Sequence, residues 1–450
     1  MHSTLTNGER KALTKREILR QAKERDVRFL RLSFVDILGI SKTVTIPIGE
    51  LERALEGKVT FDGGSIDGFV RGEEVDMMLL PDLATFAVYP WTVGTQAVEA
   101  RLICDIATPD GEPFEGCPRT TLRRAIDDSS DVLTGLRTGL EIEFYLFELD
   151  ESGAPTTSTS DVGSYFDINE SDRGEAARVE IVTALEAMGI SVASAHHEHG
   201  AGQHEIDLND AGVLATADAL STVRTVAKHV AARHRLHATF MPKPLESLAG
   251  SGLHVYFASQ RSDPEEAADG SGDLNEETLF AIAGLLEHAQ AYTAICNPTV
   301  NSYKRLVAAW DAPIYTVWSN RSANALVRVP TQSGSARIEV RSADPSCNPY
   351  LALAVLMASA AHGLHTHALP GDPLEGSTYE LNGKERESRR IRTLPKSLRQ
   401  ALAELDKDAV VRGALGDHIY HAFRDAKTAE YERYRRAVHP WEREAYLRVY

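Results

Sequence analysis

The chain has 450 residues, a length that predicts two or three domains at roughly 150 residues each. Hydrophobic residues make up 43% and charged residues 25%, globular values that exclude a collagen, a coiled coil or a disordered chain. Lys and Arg number 48 against 65 Asp and Glu, so the net charge is −17. That field repels phosphate and argues against nonspecific nucleic-acid or anionic-membrane binding, so a polyanion such as ATP needs a local basic or metal-filled pocket.

Cys104, Cys117, Cys296 and Cys347 form no Cys-x-x-Cys pair, which excludes the usual zinc spacings and fits a reducing cytosol. The polar stretch MHSTLTNGERKALTKREILRQAKERD carries no signal-peptide core, and the longest apolar run, near Leu351–Ala361, is too short to span a bilayer. A cytoplasmic protein is expected.

In chain order, Lys15 to about Arg25 has helical composition. From Val27 the pattern turns to strands: VRFLRLSFVDILG, KTVTIPIG, TFAVYPWTV and ARLICDI. Phe29, Arg31, Ser33 and Val35 alternate with Leu30, Leu32 and Phe34. The Pro- and Gly-rich Thr108–Arg119 reads as a boundary, giving a β-rich domain over 1–107 and a larger α+β domain over 108–450. In the larger domain helical patterns cover Gly174–Met188, Ala215–His234, Glu277–Tyr292, Pro349–Gly363 and Leu398–Ala414, and Ser262–Leu274 reads as an exposed loop.

Four segments carry the chemistry. In Gly139-Leu-Glu141-Ile-Glu143-Phe, period two puts Glu141, Glu143 and Tyr145 on one face and Leu140, Ile142 and Phe144 on the other. Paired carboxylates on one strand repel each other unless a cation lies between them or water covers them. In HHEHGAGQHEID, Glu205 shares a face with Gln203 and Asp207, and the glycines allow close backbone approach. The spacing is not His-Glu-x-x-His, so a hard cation such as Mg²⁺ or Mn²⁺ fits better than zinc, and His196, His197 and His199 read as packing or surface residues. Gly250-Ser-Gly252-Leu-His254-Val-Tyr256 opens a strand bearing His254. In Arg337-Ile-Glu339-Val-Arg341 an acid lies between two arginines on one face, which suits either a meeting of metal and phosphate or a surface ion-pair ladder.

With FDGGSIDGF (Phe61–Phe69), FMPKP (Phe240–Pro244), NPTVNSYKRL (Asn297–Leu306) and DPSCNPYL (Asp344–Leu351), these segments give the chain a resemblance to type I glutamine synthetases over essentially its whole length. The resemblance implies a small N-terminal β-grasp-like domain and a large catalytic domain with an antiparallel sheet carrying metal-site acids. It implies a dodecamer of two hexameric rings, with the Asp62 loop reaching a neighbour's active site.

Carried over residue by residue, the resemblance gives Glu143, Glu198 and Glu205 to one divalent ion and Glu141, His254 and Glu339 to another. It gives Glu143, Arg305, Arg341 and the Gly250 backbone to L-glutamate, and Arg328 and Arg337 to ATP phosphates. Asp62, Ser65, Tyr165 and Glu198 match the ammonium pocket. The implied reaction transfers the γ-phosphoryl group of ATP to glutamate, and ammonia then displaces phosphate. Arg71, in FVRGEE, resembles the arginine of the α subtype that takes part in feedback inhibition by glutamine. Tyr379 lies near the tyrosine adenylylated in another subtype, but STYELNGKE differs from its surroundings and no modification is expected.

Several positions depart from the family. The flap that usually reads Val-Pro-Gly-Tyr-Glu-Ala-Pro is Val307-Ala308-Ala309-Trp310-Asp311-Ala312-Pro313, leaving Asp311 as the catalytic flap acid. Ala249 replaces an asparagine, Tyr256 replaces a histidine, and Asn320–Ala323 is displaced by two residues, which makes Arg321 the phosphoryl-stabilising arginine. The retained pocket residues favour ammonia; the altered flap favours a larger amine, as in relatives that join glutamate to alkylamines, ethanolamine or polyamines. A non-catalytic structural or regulatory member is the third reading, opposed by the intact acids, which are costly to retain without metal.

Overall fold

The computed structural model describes residues 13–66, 68, 75–168, 172–258, 274–330 and 337–450. Arg71 and nearly all of the Ser262–Leu274 loop lie outside the described residues.

The N-terminal helix Lys15–Glu24 is started by a capping box between Thr14 and Glu17 and buries Ile18 and Ala22. It leads into five strands: β1 (Val27–Val35), β2 (Ser41–Pro47), β3 (Val59–Asp62), β4 (Asp76–Val88) and β5 (Val98–Ala107). Their order is β2-β1-β5-β4-β3, with β1 and β5 parallel and the other pairs antiparallel. The alternation read in β1 places Leu30, Leu32 and Phe34 in a core shared with Leu79, Leu102 and Ile106.

The second sheet contains β6 (Arg137–Glu148), β7 (Val192–His197), β8 (Gln203–Gly212), β9 (Leu236–Thr239), β10 (Leu253–Ala258), β11 (Trp318–Ser319), β12 (Val327–Arg328) and β13 (Ile338–Val340). It runs β11-β12-β13-β10-β6-β8-β7, with β9 also paired to β6. All pairs are antiparallel except β11 with β12. Leu140, Ile142, Ile206, Val255 and Val340 point into one core, where the helix Val213–Arg233 contributes Leu220, Val223 and Val226. The opposite face carries the acids.

Arg119 joins the first sheet to the helix Val213–Arg233. Its buried guanidinium donates to Asp82 of β4 (2.7 Å), Asp105 of β5 (3.0 Å) and Asp218 of the helix Val213–Arg233 (2.8 Å).

Two helices expected as single elements are each broken. Glu277–Tyr292 resolves into Glu276–Glu287 and Ala289–Cys296, which meet at 72°. The apolar pattern continues through the corner, so periodicity does not register it. Leu398–Ala414 resolves into Leu398–Leu405 and Ala409–Leu415, because Asp408 caps a new helix through the Val410 and Val411 amides. Among the described residues no single helix is long and apolar enough to cross a membrane.

Candidate active site

The ladder registers of the second sheet bring the four chemistry-bearing segments to one face. Glu141 of β6 lies between His254 of β10 and Asp207 of β8. One pleat along, Glu143 faces Glu205, which faces His196 of β7. Glu339 of β13 lies between Arg328 of β12 and Tyr256 of β10.

These neighbours make two connected groups. His254 Nδ1 lies 2.6 Å from a Glu141 oxygen and 3.6 Å from Glu339. Tyr256 donates its hydroxyl to Glu141, while Arg328 and Arg341 both donate to the fully buried Glu339. Burial alone would raise the Glu141 carboxyl, but the His254 and Tyr256 hydrogen bonds and the Arg341 charge bring it down to about 2. One donor atom each from Glu141, His254 and Glu339 lies within 4.8 Å of the others, close enough to share a metal ion.

Glu205 anchors the second group, where His196 Nε2 is 3.3 Å from its carboxylate. Burial and the surrounding charges of Glu143, Glu141, Asp207 and Glu198 push its pKa up to about 12. Glu143 is raised by burial and the Glu198 charge, against the His254 and Arg305 charges and the Gly252 amide hydrogen bond (2.9 Å); it also accepts from Gln203 at 3.0 Å. The ligand trio by distance is His196, Glu205 and Asp207, with Glu143 and Glu198 in the field around it.

Gly252 has a geometric reason. A Cβ there would stand 2.7 Å from Arg305 Nη2 and 3.2 Å from Glu143. Arg305 is buried and anchored on the carbonyls of Ser342 (2.9 Å) and Arg341 (3.1 Å). The Gly250 carbonyl accepts from Gln203 at 3.2 Å. Arg337 lies over the Tyr256 ring at 4.3 Å and bonds Asp210 at 2.6 Å.

At the edge of this face Tyr165 stacks on His199 with centroids 4.8 Å apart, and His199 Nδ1 lies 2.9 Å from Glu198. The flap segment lies beside Arg305. Trp310 and Asp311 both adopt left-handed backbone, at φ 55° and 57°. Asp311 is exposed, and the Tyr379 hydroxyl donates to the Ala312 carbonyl at 2.8 Å.

Asp62 and Ser65 lie elsewhere, at the end of β3, where both are exposed and Ser65 donates to Asp62 at 2.8 Å. Arg321 is exposed just after β11.

Sequence reasoning passed over His196, read as a packing or surface residue, and left Asp207 and Tyr256 without roles. The period-two run Gln203, Glu205, Asp207 was the signal for Asp207. His196 enters only through the β7–β8 register.

The face fits a divalent cation. Asp207 Oδ1 is buried without a hydrogen-bond partner, and the donors are mostly carboxylate oxygens. It also fits phosphate, since the buried Nε atoms of Arg337 and Arg341 are unpartnered.

The comparisons agree with this geometry. The family model for the glutamine synthetase β-grasp domain matches residues 26–109, and that for the glutamine synthetase catalytic domain matches residues 115–446. A glutamine synthetase of Staphylococcus epidermidis is 45% identical over 445 residues, covering 98% of this chain and all of the relative. One from Staphylococcus aureus is 44% identical over the same span. Among solved structures, a GmaS/ADP complex superposes with a TM-score of 0.86 at 29% identity, over 96% of this chain and 99% of that one. Apo GmaS gives 0.84 at 30%, over 95% and 99%. The matches and the acid-lined sheet lead to one conclusion: the chain belongs to the glutamine synthetase family and is a ligase.

Proposed function

We propose that the chain joins ammonia to the γ-carboxylate of L-glutamate, using ATP and two or more Mg²⁺ or Mn²⁺ ions per subunit. The observation that carries this reading is the acid-lined face, where Glu141, His254 and Glu339 adjoin Glu205, Glu143 and Glu198. Glu141, His254 and Glu339 would hold one ion and Glu143, Glu198 and Glu205 another, with His196 and Asp207 beside them. Bound there, the ions supply charge neutralisation for the transferring phosphoryl group.

The chain's own residues do the rest. Arg305, fixed on two carbonyls, presents its remaining charge to glutamate together with Arg341, Glu143 and the Gly250 backbone. Arg328 and Arg337 face ATP phosphates, and Arg321 stabilises charge during transfer. Ammonium is protonated at neutral pH, so Glu198 and Tyr165 bind it as a cation, and Asp62 and Asp311 take up its protons.

Asp62 and Ser65, exposed on the first sheet, would be supplied by a neighbouring subunit of a dodecamer of two hexameric rings. The unit over 1–107 thus carries the donated loop and that over 108–450 the acids. Arg71 would take part in feedback inhibition, and the enzyme would work in the cytoplasm.

A second reading takes a larger amine in place of ammonia. Its support is the flap, where the left-handed positions fall on Trp310 and Asp311 and the Asp311 carboxylate is exposed. Phosphate release from ATP, measured with glutamate, Mg²⁺ and ammonium and coupled to mass detection of glutamine, tests the primary reading. Glutamate-dependent turnover without glutamine formation would remove it.

A further inference from the structure

A second cluster of ligating side chains lies away from the acid face, where the helix Glu276–Glu287 meets the helix Pro349–Thr366. Two glycines set the spacing of these helices. A Cβ on Gly284 would stand 2.1 Å from the Ser359 carbonyl, and one on Gly363 2.0 Å from the Phe280 carbonyl. The backbones therefore touch. One turn beyond Gly284 come Glu287 and His288; directly before Gly363 comes His362.

His288 caps the first helix at the 72° corner and is buried. Its Nδ1 lies 2.7 Å from Asp408 Oδ2, and Asp408 is itself fixed by capping the helix Ala409–Leu415 through its other oxygen. A carboxylate at that position keeps the proton on Nδ1, so the lone pair of His288 lies on Nε2. That Nε2 is 2.9 Å from His362 Nδ1, and His362 Nδ1 is 3.9 Å from Glu287 Oε2. One donor atom from each of the three residues falls within 4.8 Å of the others.

We propose that Glu287, His288 and His362 form a separate binding site for a transition-metal ion such as Zn²⁺, with Asp408 as the positioning residue for His288. Two imidazole nitrogens and one carboxylate suit zinc rather than the hard cations of the acid face. Metal–nitrogen bonds of about 2.1 Å in a tetrahedron separate the donors by about 3.4 Å. The observed 2.9 and 3.9 Å bracket that value. His362 and Glu287 are 32% and 54% exposed, free to adjust and open to solvent, while His288 is held. A fourth position is left for water or another ligand. None of these residues belongs to the machinery proposed for ligation, so the site stands whichever amine that machinery uses.

The test is a Zn²⁺ titration of the full-length enzyme against a chromophoric chelator, with Mg²⁺ saturating the acid face. The wild type should bind one more zinc equivalent per chain than His362→Ala. Asp408→Asn should keep the equivalent but bind it about 10–100-fold more weakly. Cobalt in the site should give the visible absorption of a four-coordinate centre, lost in His362→Ala, while Mg²⁺-dependent turnover persists without zinc. Equal zinc stoichiometry in the wild type and His362→Ala overturns the proposal. So does an extra equivalent that disappears in Glu339→Ala, which would belong to the acid face. Glu287→Gln, an exposed substitution, repeats the test if His362→Ala folds poorly, and unchanged affinity in it removes Glu287 from the ligand set.

Discussion

The Tyr379 hydroxyl donates a 2.8 Å hydrogen bond to the carbonyl of Ala312, and the Ala309 carbonyl lies 3.3 Å from the same oxygen. Tyr379 thus fastens both sides of the segment that carries Asp311. Burial and the nearby Asp311 charge push its pKa up to about 12, so the hydroxyl stays a donor throughout the neutral range. Tyr379→Phe removes the fastening without removing the ring. Losing this one hydroxyl donor, at about 0.5–1.5 kcal/mol, should lower amide formation about 2–13-fold. Glutamate-dependent ADP formation should fall less, because the flap acid acts after phosphoryl transfer. Parallel assays of ADP and amide check this, and equal losses in both would place Tyr379 outside the second step.

Glu339 is the acid to test for metal binding, since it is fully buried between Arg328, Arg341 and His254. Glu339→Ala should abolish turnover and remove the share of Mg²⁺ stabilisation that belongs to the ion held with Glu141 and His254. For the wild type that stabilisation is about 2.7 kcal/mol at 100 times the dissociation constant. Thermal melts with and without Mg²⁺ measure it, and a full Mg²⁺ shift in the variant would take Glu339 off the ligand list.

The Arg119 network predicts how acid attacks the fold. Burial would raise the Asp82 carboxyl, but Arg119 and Arg123 hold it below its ordinary value of 3.8. A depressed folded-state pKa contributes stability that is fully present above the unfolded value and lost as pH falls through the folded one. Urea midpoints should therefore decline below about pH 4. Arg119→Ala leaves Asp82, Asp105 and Asp218 without their shared cation and should cost about 3–5 kcal/mol at neutral pH. A loss below about 1 kcal/mol, within the range of an exposed pair, would contradict the joining role.

Asp62 is exposed on the first sheet, bonded to Ser65 and Gly64, while the acids cluster on the second. Asp62→Asn and Glu339→Ala should each be inactive as homo-oligomers. Mixed and reassembled, they should recover activity, because some sites combine an intact loop with intact acids. No recovery across mixing ratios would argue for sites built from one chain.

How much of this was legible in sequence depends on the range of the interaction. Period-two alternation placed Glu141 and Glu143 on one face of β6, and Glu205 and Asp207 on one face of β8, because a strand's own geometry dictates it. Which strands become neighbours is a long-range matter. His196 was passed over for that reason: its partnership with Glu205 exists only through the β7–β8 register. The broken helix at His288 was invisible because the apolar pattern runs on through the corner, and the His288–Asp408 contact there joins residues 120 apart. The flap substitutions were legible residue by residue, but not the left-handed backbone at Trp310 and Asp311 or the hold of Tyr379.

The central claim is that the acid face and its flap serve ammonia. The most direct measurement is kcat/KM for ammonium, methylamine, ethylamine, ethanolamine and a diamine, each with saturating glutamate, ATP and Mg²⁺. The account predicts ammonium to be best, with methylamine and ethylamine weaker and Asp311→Ala lowering amide formation far more than γ-glutamyl phosphate formation. A kcat/KM for ethanolamine or a diamine well above that for ammonium would contradict it and establish the larger-amine reading.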